Sequence, residues 1–170
     1  MIQDKLGLSD EISISLGRGA EIEDVLPIRG HVLVEVFGPD GELKDFRETD
    51  NLVVTAGKNH VADQLSSAPG QAAMGWMALG TGVTAPALGD TLLGAEIDRN
   101  ALTSRTDVTN VVTYVGDWAA GDATNSAITE AGIFNISTPN TITMLARATF
   151  TLINKGALDT LKITWTVTHG

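Results

Sequence analysis

The chain has 170 residues and 17.8 kDa, with 43% hydrophobic residues, no cysteine and a formal charge of −10. That length suits one domain with a core of its own, and the absence of cysteine excludes disulfides, thiolate metal sites and cysteine nucleophiles. So acidic a surface repels phosphate backbones, and no stretch approaches the roughly 18 apolar residues of a membrane-spanning helix, so neither nucleic acid nor membrane is an expected partner.

The charge is concentrated early: residues 1–50 carry twelve Asp/Glu against five Lys/Arg. Residues 1–29 have the pattern of an extended arm. Ile12, Ile14 and Leu16 alternate with Ser13 and Ser15, which is strand periodicity, and Gly17, Gly19 and an acidic run then interrupt it. Such a segment is either a disordered leader or an arm that adds a strand to a neighbouring subunit, and the alternation favours the arm. Residues 30–170 form the expected domain.

Residues 30–47 predict a hairpin. Val32, Val34 and Val36 share one face, and residues 38–41, Gly-Pro-Asp-Gly, supply the turn. A short apolar run at 51–54 precedes a helix predicted over 58–67, with Val61, Ala62 and Leu65 on one face.

Residues 74–79 predict a buried strand, and Gly80-Thr81-Gly82 stops it. Pro86 and Gly89 then keep the chain irregular, and a polar strand is expected from about Ala101. β-rich runs follow at 107–115 and at 127–136, the latter interrupted by Glu130, Ala131 and Gly132. Alternating strands at 141–153 and 158–169 close the chain, with Leu161, Ile163, Trp165 and Val167 on one face. Short alternating strands between turn signals indicate a mainly-β chain, an antiparallel, jelly-roll-like β-sandwich with one short helix and the N-terminal arm.

No catalytic, cofactor or metal set emerges. Gly80-Thr81-Gly82 has neither the third glycine of a dinucleotide fingerprint nor the lysine of a phosphate loop. Glu96 and Asp98 share a strand face, but without a nearby histidine a pairing with Arg99 or Arg105 is the simpler expectation. Asp117, Asp122, Asn125 and Glu130 form a loose oxygen-rich set whose spacing does not match an EF-hand. The three tryptophans suit core anchors, with Trp118, beside Gly116, the one best placed to face a partner.

The order of landmarks resembles a group of small structural proteins of tailed bacteriophages. The residues that carry the likeness are 51–57 (Asn-Leu-Val-Val-Thr-Ala-Gly), 78–82 (Ala-Leu-Gly-Thr-Gly), 84–86, Asp90-Thr91 with Glu96 and Arg99, 129–134, 145–147 and 161–165. The resemblance spans about 30–168 and leaves the arm outside it. It implies a non-enzymatic virion protein, a capsid decoration (cement) protein or a tail, baseplate or fibre component. Such a protein would be made in the host cytoplasm, incorporated into the virion, and bound to the major capsid protein or other virion proteins as a dimer or trimer. It implies no cofactor. Assembly contacts are then expected at Ile12, Ile14 and Leu16 of the arm, at Trp118, and at Glu96, Arg99 and Arg105 around the loop after residue 80. A carbohydrate- or calcium-binding β-sandwich, with Trp118 stacking a sugar and the Asp122 loop holding the ion, is the alternative of another class.

Overall fold

A computed structural model describes residues 27–139 and 143–170. Among the described residues, ten strands and one helix follow in order: β1 (Ile28–Phe37), β2 (Leu43–Asp50), β3 (Leu52–Val53), α1 (Thr55–Gln64), β4 (Trp76–Gly80), β5 (Glu96–Ala101), β6 (Ser104–Val108), β7 (Val111–Trp118), β8 (Asn125–Phe134), β9 (Met144–Lys155) and β10 (Thr160–His169). They form two five-stranded antiparallel sheets, ordered β2-β1-β10-β7-β6 and β3-β9-β8-β4-β5. The chain is mainly β. The arm expected over 1–29, with Ile12, Ile14 and Leu16, lies outside the described residues as far as residue 26. β1 already begins at Ile28, two residues before the expected domain boundary.

Period-two patterning builds the core. Val32, Val34 and Val36 of β1 stand opposite Trp165, Ile163 and Leu161 of β10, and all six are buried. Met77 and Leu79 of β4, Ile133 of β8 and Ala146 of β9 meet them from the other sheet in one cluster. Alternate side chains of a strand point to opposite faces, so one apolar face per sheet suffices to make a shared interior. The β1–β2 turn falls at the expected residues: Gly41 N–H donates to the Gly38 carbonyl at 2.9 Å, and its φ of +82° suits glycine.

The helix runs three residues earlier than expected, at Thr55–Gln64, and the face it buries carries Gly57 and His60. Leu65, expected on the buried face, follows the helix as its C-cap and is 82% exposed. Gly57 is the reason the helix packs as it does. A Cβ there would collide with the Leu145 backbone oxygen of β9, so only glycine permits the approach.

Two other expectations need correction. The run at 107–115 is a hairpin rather than one strand, turning at Thr109 and Asn110 between β6 and β7. Thr109 takes a φ of 55°, a conformation a β-branched residue rarely signals in sequence. The interruption at 130–132 is part of the continuous strand β8, because Glu130 is buried with a partner rather than turned out to solvent.

The open side of β9 is covered where β2 approaches it. Arg47 donates to the carbonyls of Thr151 (3.1 Å) and Leu152 (2.6 Å), satisfying groups that an exposed strand edge would leave to another chain. Among the described residues, no helix is long and apolar enough to cross a membrane.

Candidate assembly surface

The loop between β4 and β5, residues 81–95, is held by one buried side chain. Glu130 on β8 is 0% exposed, and its carboxylate reaches into the loop. Oε1 accepts from the backbone N–H of Gly82 (2.8 Å) and Ala95 (2.7 Å), and Oε2 accepts from that of Gly94 (3.0 Å). Arg147, on the neighbouring strand β9, donates to Oε2 through Nε at 2.9 Å and Nη2 at 2.7 Å. Its remaining arm, Nη1, donates to Asp90 Oδ2 in the loop at 2.8 Å. One guanidinium thus joins a buried carboxylate to a partly exposed one. A buried charge tolerates desolvation only when paired and fully hydrogen-bonded, and these contacts supply both conditions.

This explains Gly80 and Gly82. A Cβ on Gly82 would strike the Glu130 carboxylate, and one on Gly80 would stand 2.7 Å from the Ala95 carbonyl oxygen. The glycines let backbone N–H groups close around an anion, as in a phosphate loop, but the anion is the protein's own side chain. Burial pushes the Glu130 carboxyl up. The N–H groups of Gly94 and Ala95, the Arg147 guanidinium and the Gly82 N–H outweigh it and hold the group below its ordinary value. Asp90 behaves alike: burial raises it, and the Ala87 N–H and Arg147 more than compensate.

Further bonds shape the rest of the loop. Thr81 N–H donates to the Ala95 carbonyl at 2.9 Å and closes the base. The Thr129 hydroxyl donates to the Gly82 carbonyl at 2.9 Å. Asp90 Oδ2 also accepts from Ala87 N–H at 2.9 Å, forming a local turn. The Leu88 carbonyl accepts from Thr55 N–H at 2.9 Å and so satisfies one free amide at the start of α1. Leu93 packs inward on Val54, Phe134 and Met144. Large apolar side chains remain outside: Val83 is 80% exposed and Leu88 51%. A loop held at both ends and along its length, with branched aliphatic side chains facing water, has paid its ordering entropy before any partner arrives.

The other expected residues fall elsewhere. Glu96 and Arg99 do pair, through Nε–Oε1 at 2.8 Å and Nη2–Oε2 at 2.7 Å, and Arg99 is nearly buried. Arg99 also donates to the carbonyls of Ile136 (2.9 Å) and Thr138 (3.3 Å) and lies 3.7 Å from the centroid of the Phe134 ring. That pair fastens β5 to the segment after β8, while the loop itself is fastened by Glu130 and Arg147. Arg105, on the edge strand β6, is exposed and donates to the Met74 carbonyl at 2.7 Å. The partner-facing role expected for Trp118 is incorrect. It ends β7 with its side chain fully buried in the core, on the face of that strand that also carries the buried Tyr114 and Gly116. Ile12, Ile14 and Leu16 lie outside the described residues.

Glu130 also leaves the oxygen-rich set expected near Asp122, since its carboxylate is committed to Arg147 and the loop. Among the described residues, no three His, Asp or Glu side chains are grouped to hold a metal ion. Asp90, Glu130 and Arg147 come from a loop and two strands that are well separated along the chain. Their spacing in sequence, 40 and 17 residues, held no sign that they meet. Comparison with protein-family models, with curated proteins and with solved structures finds no match for the chain.

Proposed function

We propose that the chain is a non-enzymatic structural protein of a tailed-bacteriophage virion, a decoration protein that binds the outer surface of the shell as a small homo-oligomer. The observation that carries this reading is the loop 81–95: a rigid platform with exposed Val83 and Leu88, locked by a buried Glu130–Arg147–Asp90 network that has no free catalytic group. Apolar contact contributes on the order of 25 kcal/mol per 1,000 Å² before entropy and desolvation are subtracted, so many small, preformed contacts repeated over a shell reinforce it strongly. The negative charge suits docking on a basic outer surface and keeps the protein away from packaged DNA.

In the same reading the two sheets, sharing one core, form a β-sandwich of jelly-roll-like type. The support is the nesting of early strands against late ones, β1 beside β10 in one sheet and β3 beside β9 in the other.

Quantitative mass spectrometry of purified particles tests the proposal. On the order of hundreds of copies per particle supports shell decoration, and about a dozen or fewer favours the tail, baseplate or a fibre. Absence from particles overturns both. A double variant, Val83→Asp with Leu88→Asp, should fold normally and lose particle association.

A further inference from the structure

Among the described residues β6 is the last strand of its sheet, and it borders an apolar groove of about 530 Å³ between itself and α1. Its floor is Met74, Val112, Tyr114 and Leu145, which continue directly into the main core. On the helix side stands Leu65, 82% exposed although it is a large aliphatic side chain. β6 ends its sheet, and all five of its residues are exposed. A strand edge left without a partner among the described residues, beside an apolar trough, is the form of site that accepts an extended segment with large side chains on alternate positions.

We propose that this groove seats the chain's own residues 10–16 as an added strand on β6. Three observations select that occupant. In that segment Ile12, Ile14 and Leu16 alternate with Ser13 and Ser15, so one face would fill the trough and the other would meet water. The described chain begins at the right place. The Pro27 carbonyl accepts from Gly170 N–H at 2.9 Å, and Ile28 stands opposite His169, whose side chain lines one end of the groove. Eleven residues from Leu16 to Pro27 span at most about 36 Å, twice the roughly 17 Å length of a five-residue strand, so the reach is ample. The polar lining also suits it: Asp10 and Glu11 open the segment, while the Arg105 guanidinium and the His60 and His169 rings, groups able to donate to a carboxylate, line the groove beside the single carboxylate of Asp107. A tether of this length holds its segment near the groove at an effective concentration of order millimolar, which favours the same chain over a second copy.

The chain has no cysteine, so a disulfide between Ile14→Cys and Leu65→Cys in the full-length protein reports this contact alone. Under mild oxidation the expected product is an internally linked monomer, seen by its mobility without reductant. A covalent dimer assigns the seat to a second copy and overturns the proposal. So does a yield no higher than that of Ile14→Cys with Leu43→Cys, where Leu43 lies on β2 at the opposite edge of the sheet. Hydrogen exchange supplies a second reading free of engineered thiols. Ile14→Asp should speed exchange of the β6 amides about tenfold or more while those of β10 stay protected. Unchanged β6 exchange overturns the seat.

Discussion

Replacing Glu130 by glutamine removes one charge and almost no volume, and it isolates what the carboxylate does. Five donors converge on it: the N–H groups of Gly82 and Ala95 on Oε1, and Gly94 N–H with two nitrogens of Arg147 on Oε2. A carboxylate accepts at both oxygens, whereas an amide has one acceptor and one donating NH₂. Whichever way the substituted amide turned, its NH₂ would face two or three N–H donors. Arg147 would keep Asp90, which is partly exposed, but its buried side would lose its counter-charge. Breaking a buried pair by neutralising one partner costs about 3–5 kcal/mol. For a chain of this size about 2–4 °C of Tm corresponds to each kcal/mol, so Tm should fall by about 10 °C. Thermal unfolding followed by circular dichroism measures the fall, and hydrogen exchange should show the amides of Gly82, Gly94 and Ala95 losing protection first. A Tm within about 2 °C of the parent, with those amides still protected, would refute the claim that this carboxylate holds the loop.

Acid should act on the same network. Glu130 and Asp90 are held below their ordinary values, so the stability they contribute is present above the ordinary carboxylate range and is lost as pH falls through their folded-state values. Between about pH 5 and pH 3 the parent should therefore lose more stability in urea titrations than Glu130→Gln, which has already lost the larger contribution. Gly57→Ala should destabilise by about 2 kcal/mol, because its Cβ meets the Leu145 carbonyl and the adjoining backbone is fixed by the bonds of Val54 to Leu145 and Thr55 to Leu88; urea midpoints will show it. Arg99→Ala should cost about 2–4 kcal/mol by removing the Glu96 pair, two carbonyl bonds and the contact over Phe134, while leaving the 81–95 amides protected; equal exposure of both regions would contradict their independence.

Much of the architecture is legible in the residues. Alternation at 32–36 and at 161–167 specifies which face of β1 and β10 is buried, since a strand has only two faces and one of them is uniformly apolar. Pro39 and Gly41 place the first turn for the same local reason. The β6–β7 turn was not legible, because its unusual backbone falls on Thr109 and is secured by distant bonds: Asn110 Nδ2 donates to the His169 carbonyl, and His169 N–H donates to the carbonyl of Asn110. Leu65 was misplaced because periodicity locates a side chain on a face without saying where the helix ends, and Trp118 because a neighbouring glycine does not say that the strand has ended.

The stretch from β4 to β5 divides the two kinds of information most clearly. Residue order is enough to say that a buried strand ends at Gly80, that an irregular segment follows, and that the glycines there lack the spacing of a dinucleotide fingerprint or a phosphate loop. Those conclusions depend on local geometry and short spacing. Which anion the loop encloses is a property of the folded chain. Glu130 enters from β8 and Arg147 from β9, adjacent strands of a sheet that also contains β4, and pairing across that sheet brings their charges to the glycines. Ion pairing in the interior is set by register between strands and by exclusion of water, and neither is written in the neighbours of any one residue.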